Sequence, residues 1–201
     1  MYLMIEYAVN YVVTAISSLP TFELIAQAIG IVAMAFNILS YQKKSSKGVV
    51  VMQLFGGALF SVHFFMIGAT VGGILNLIAA FRAIIFANRE KFKADHIFWL
   101  ILFISLYIGS YILVFTAFGK ALTLTVAIIE LLPVIAMTAT TFGFRSSSAK
   151  IIRRFSLISS PSWLVYNIVN VSVGAIICEV FSLFSIVIGM LRYDIKKTTE
   201  Q

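Results

Sequence analysis

Charge is what this sequence has least of. Only 11% of its 201 residues are charged, where a soluble domain carries about a quarter. The few charges sit in short clusters between long apolar runs. Hydrophobic residues make up 61% and the mean hydropathy is +1.02. An ordinary soluble domain is excluded, and an all-α polytopic protein in a lipid bilayer is expected. Cysteine is nearly absent: Cys178 stands alone, so no internal disulfide can form. His63 and His96 lie far apart, without a ligand set at metal spacing, so no metal is expected. No HExxH, phosphate-cradling glycine loop, GxSxG or paired-cysteine pattern occurs, so neither an enzyme nor a cofactor is expected. The pI near 9.6 does not imply nucleic acid, because the basic residues fall at the ends of apolar runs.

What is present is a series of apolar runs, each of about 20 residues, the length a helix needs to cross hydrocarbon. They fall near 22–41, 48–67, 70–88, 97–118, 121–143, 151–170 and 172–193. Of the fifteen Lys and Arg residues, all but Lys120 and Arg82 fall in the loops of one side or in the tail. The positive-inside rule then puts the amino terminus outside and the carboxyl terminus in the cytoplasm of a plasma or inner membrane. Residues 1–20 lack a basic start and a small-residue cleavage site. They read as an external interfacial helix ending at Pro20, with a marginal eighth span as the alternative.

The chain repeats itself. Shifted by 103 residues, the first three runs overlay the last three without a gap: Ala33 meets Ala136, Met34 meets Met137, Lys47 meets Lys150 and Arg89 meets Arg192. Three runs are an odd number, so direct succession would invert the second unit. The spare run, 97–118, turns the chain back and makes the two units parallel, which places a solute site between them near the midplane. The expected organisation is a first three-helix bundle over 21–95, a linker helix over 96–119, a second bundle over 120–194 and a tail over 195–201.

That layout resembles the SWEET, SemiSWEET and PQ-loop superfamily, and within it the bacterial inner-membrane YgjV family. The stretches carrying the likeness are "VHFFMIGATVGGILN" (62–76), "ELLPVI" (130–135) and "WLVYNIVNVSVGAIICE" (163–179). The resemblance implies a small-molecule carrier fold of 3-1-3 helices. Its carriers have an Asn facing the pocket on the third helix of each unit, which implies that place for Asn76 and for Glu179, an acid that departs from the amide pair. An aromatic sixteen residues earlier, Phe60 and Trp163, would wall it. Sugar-carrying members place a proline in each hinge helix. Here only Pro133 and Pro161 occur, in the second unit, and Gly30 stands opposite Pro133. Symmetric rocking on four prolines is therefore not expected.

The remaining intramembrane polar residues follow from position. Glu130 meets Gln27 in the repeat, and an ionised carboxylate at depth must face a cavity or a partner. It reads either as a solute or proton contact or as a structural hydrogen bond. His63 and Tyr166 superpose one turn beyond Phe60 and Trp163, as a gate or as packing, and Asn167 is a further pocket candidate. Arg82 reads as a snorkelling side chain that reaches the cytoplasmic interface. The leading expectation is a carrier or facilitator of a small polar solute, sugar-like or another metabolite, with a receptor of the same fold as the alternative. One chain supplies a whole pocket, and assembly into a homo-oligomer is left open.

Overall fold

A computed structural model describes residues 21–66, 70–117, 119–169 and 173–195. The interfacial helix expected over 1–20, and all of the tail beyond Ile195, lie outside them. Among the described residues the chain is helical, with no strand. In chain order the helices are α1 (Thr21–Ser40), α2 (Ser46–Met66), α3 (Thr70–Ala87), the single-turn α4 (Arg89–Phe92), α5 (Ile97–Thr116), α6 (Leu124–Arg145), α7 (Ala149–Val169) and α8 (Val173–Met190). A π-helical turn, Leu191–Ile195, continues α8.

Local chemistry sets several boundaries. The α5 start is capped by His96, whose Nδ1 accepts from the Phe98 amide at 3.1 Å, and the α6 start by Thr123, whose hydroxyl accepts from the Val126 amide at 3.3 Å. The short α4 ends at Lys93, which takes a left-handed conformation with φ of 47° and turns the chain into α5. Pro133 and Pro161 both sit within continuous helix.

Among the described residues, five helices are long and apolar enough to cross a bilayer: α1, α2, α5, α6 and the stretch Gly174–Ile195. A shorter apolar stretch, Gly73–Ala87, lies in α3. α7 is less apolar because one of its faces buries polar side chains, while its other face exposes Leu157, Ile158, Val165 and Ile168. It packs against α6, α8 and α2, and it buries Arg153, Ser156, Ser159, Ser160 and Asn167. The outward faces of the long helices carry large exposed apolar side chains such as Ile31, Ile101, Ile158 and Phe184.

The packing follows the repeat. α1 packs on α2 and α2 on α3; α6 packs on α7 and α7 on α8. Between the two sets, α1 meets α8, α3 meets α6 and α2 meets α7. α5 packs on α6 and reaches α3 through Phe81, Phe86, Trp99 and Phe103. The loop after α1 and the loop after α6 touch, since the Ser46 hydroxyl donates to the Ser146 carbonyl at 3.1 Å. Arg89, just past α3, donates to the carbonyls of Phe144 and Arg145, and Asp194, just past α8, pairs with Arg153. The carboxyl ends of α1, α3, α6 and α8 therefore lie together. Lys44, Lys47, Arg89, Lys150 and Arg192 gather there around one recess, and we refer to it as the basic end.

Candidate functional site

A cavity of about 580 Å³ opens between the two sets of helices. Its wall is built from repeat-equivalent positions. Met34 and Met137, Phe60 and Trp163, and Asn76 and Glu179 line it in pairs, as do Gly57 and Ser160. The sequence brings these together because each pair holds the same face of the same helix in its unit. The walls are aromatic and aliphatic, with a few polar groups converging on the space, the usual make-up of a small-molecule pocket.

Glu179 is held by Ser160, whose hydroxyl donates to its carboxylate across the α7–α8 interface. Asn76 stands at the matching place on α3, and Asn167 lines the same space from α7. Phe60 and Phe64 stack on α2 with centroids 5.9 Å apart, and Trp163 meets Tyr166 edge-on at 5.8 Å on α7. Ser159 meets the Thr140 hydroxyl of α6 at 2.9 Å and also lines the wall.

His63 lines the cavity but is fixed by packing. Its Nδ1 bonds the Ala26 carbonyl at 2.7 Å, and its ring lies against Gly30, where a Cβ would come within 3.0 Å of Nδ1. Gly30 is thus the seat of His63, and a side chain there would press on the ring unless the ring shifted by a few tenths of an ångström. Gln27 lines the cavity and is exposed.

Glu130 does not line the cavity, and neither does Tyr166. Glu130 is buried, pairs with Lys120 of the α5–α6 connection, and is hydrogen-bonded by Tyr166 of α7. Its described partners are thus a lysine and a tyrosine of the protein itself. The reason is the position of the helix start. α6 begins at Leu124, so Glu130 lies only about 9 Å inside it by helical rise, and a loop lysine can fold over it. Pro133 and Pro161 also stand outside the lining.

Arg82 overturns its sequence reading. It does not snorkel. Its guanidinium is buried, and Nη1 donates to the Tyr107 hydroxyl at 3.0 Å, the Met137 carbonyl at 3.1 Å and Thr141 at 3.4 Å. The plane lies over the Phe144 ring, 5.0 Å from its centroid, and the residue lines the cavity. Helical rise along α3 gives only depth. That α5 and α6 close over this side chain is a tertiary fact, so no local signal marks it.

At the basic end a second buried arginine, Arg153, is fully engaged. It pairs with Asp194, donates to the carbonyls of Tyr41 and Lys43, and lies over Tyr193. Gln42 donates to the Ser185 carbonyl at 2.7 Å, and Ser185 donates to the Ile38 carbonyl at 2.6 Å. These contacts tie α1 to α7 and α8 beneath the cavity.

Comparison with curated proteins found no match, and comparison with solved structures found none. The family model Imp-YgjV, described as a bacterial inner membrane protein, matches residues 24–197, from the first turn of α1 to beyond α8. With its apolar helices and nearly the whole chain matched, the protein belongs to the Imp-YgjV family of bacterial inner membrane proteins.

Proposed function

We propose that the chain is a carrier that moves a small polar solute across the inner membrane by alternating access, in the manner of SWEET-like proteins. In this reading seven helices cross the bilayer. α1–α3 and α6–α8 form two like-oriented bundles, α5 links them, the amino terminus lies outside and the basic end faces the cytoplasm. The observation that carries it is the cavity wall: both bundles present the same positions, Phe60 with Trp163 and Asn76 with Glu179, to one shared space. The rings offer a flat surface to stack on, and the amide and carboxylate hold the polar edge of a solute. The ties around Arg153 at the basic end act as the closed inner gate. Their breakage, with closure at the far end, would complete the cycle.

The test is flux. Solutes that stabilise the purified protein in a thermal-shift screen are loaded against proteoliposomes, with and without a proton gradient. Flux that collapses in Asn76→Ala and Glu179→Ala supports the carrier. Binding without flux under both conditions supports a receptor of the same architecture instead.

A further inference from the structure

The protein buries two arginines, and they differ in one respect. Arg153 has a carboxylate partner and uses both edges of its guanidinium. Arg82 has no acid partner among the described residues. All its hydrogen bonds leave from Nη1, and all go to neutral oxygens. Its Nε is buried with no partner, alone among the buried side-chain nitrogen and oxygen atoms described. A cation held in the apolar core by neutral groups alone is costly, and such residues mark binding functions more often than packing.

We propose that Arg82 makes the cavity a binding site for the carboxylate of a small organic monoanion. The proposal rests on the reading of the cavity as a solute site and names the class of solute. Nε and Nη2 share one edge of a guanidinium, and that edge is the one that grips a carboxylate in two parallel hydrogen bonds. Here the Nη1 side is anchored to Tyr107, Met137 and Thr141, and Phe144 supports the plane; Nε is without a partner and closed off behind the wall, so a carboxylate takes the Nε–Nη2 edge once the lining beside it shifts. Along α3, Arg82 stands about 9 Å by helical rise from Asn76, on the same cavity wall. A solute of a few carbons spans that distance, with its anionic end at Arg82 and its donor groups at Asn76 and Glu179. Arg82 and Glu179 are the charged side chains of the described wall, His63 aside. One guanidinium matches one negative charge. A phosphate monoester, with close to two charges, would meet Glu179 as well.

The experiment uses the full chain in detergent or nanodiscs, with Trp99→Phe so that the Trp163 emission reports on the cavity. Probes are matched pairs: lactate with lactamide, gluconate with glucose, benzoate with benzamide. The expected result is that at least one acid binds more than about tenfold tighter than its neutral partner, the scale of one charge-assisted bond, and loses that preference in Arg82→Gln. Arg82→Lys keeps the charge but not the fork and should give an intermediate preference. It also serves as the test if Arg82→Gln does not fold. Three results overturn the inference: no acid binds, neutral partners bind as well, or the acid preference survives in both variants. Neutral probes that bind in a Glu179-dependent way would leave the carrier reading standing without it. No binding by either class removes both.

Discussion

Ser160 donates its hydroxyl hydrogen to the carboxylate of Glu179, joining α7 to α8 at the cavity wall. Their repeat counterparts are Gly57 and Asn76, where a Cβ at Gly57 would only touch the α3 backbone, 3.6 Å from the Asn76 carbonyl oxygen. The second unit therefore carries an acid and its donor where the first carries an amide against bare helix. The pair has a testable signature. Ser160→Ala removes the donor and should destabilise the protein by about 1.5–3 kcal/mol, the range for a hydrogen bond to a charged group. The same change in a Glu179→Gln background should cost distinctly less. Denaturation of the four proteins in detergent gives the coupling directly.

Lys120 and Glu130 are expected to behave as a structural pair. Lys120→Met should lower the melting temperature, because it leaves a buried carboxylate with Tyr166 alone. The lysine side chain is 43% exposed, so the measured coupling should be modest, about 1 kcal/mol or less. Ligand affinity should be unchanged, since neither residue lines the cavity. A binding loss at unchanged stability would return Glu130 to the solute site.

Gly30→Ala is predicted to be damaging out of proportion to its size. The added methyl would press on the His63 ring and on its bond to the Ala26 carbonyl, with an overpacking cost of about 1–3 kcal/mol. Gly30→Ala combined with His63→Ala should recover much of that cost relative to Gly30→Ala alone. Thermal denaturation of the single and double variants checks it.

Much of this was legible in the sequence, and the failures have a common cause. The apolar runs mark every long helix to within a few residues. The 103-residue shift pairs Phe60 with Trp163 and Asn76 with Glu179, because repeat-equivalent positions share a helix face. The partners of Glu130 and Arg82 were not legible. Both depend on where an element from outside the local helix folds back: the α5–α6 connection over Glu130, and α5 with α6 over Arg82. Periodicity records depth and face but not which neighbour arrives. The reduced apolarity of α7 has the same origin, since its serines and Arg153 are satisfied by the helices around it.

In the proposed carrier, the ties at the basic end are the inner gate. Asp194→Asn weakens the hold on Arg153 and on the carbonyls of Tyr41 and Lys43, and should destabilise the closed inner arrangement. In the flux assay, its expected effect is a leak or an altered rate with the affinity of the cavity retained.

Cys178 tests the central claim most directly, because it is the chain's single cysteine and lines the cavity. Sealed vesicles of each orientation are treated with a membrane-impermeant thiol reagent, and labelling of Cys178 is followed by mass. The account predicts that Cys178 reacts through water from one side in the parent protein, and that Asp194→Asn opens it to the reagent from the cytoplasmic side. A Cys178 that stays unreactive from both sides in both proteins, yet labels fully once unfolded, would contradict a water-lined chamber between the two bundles.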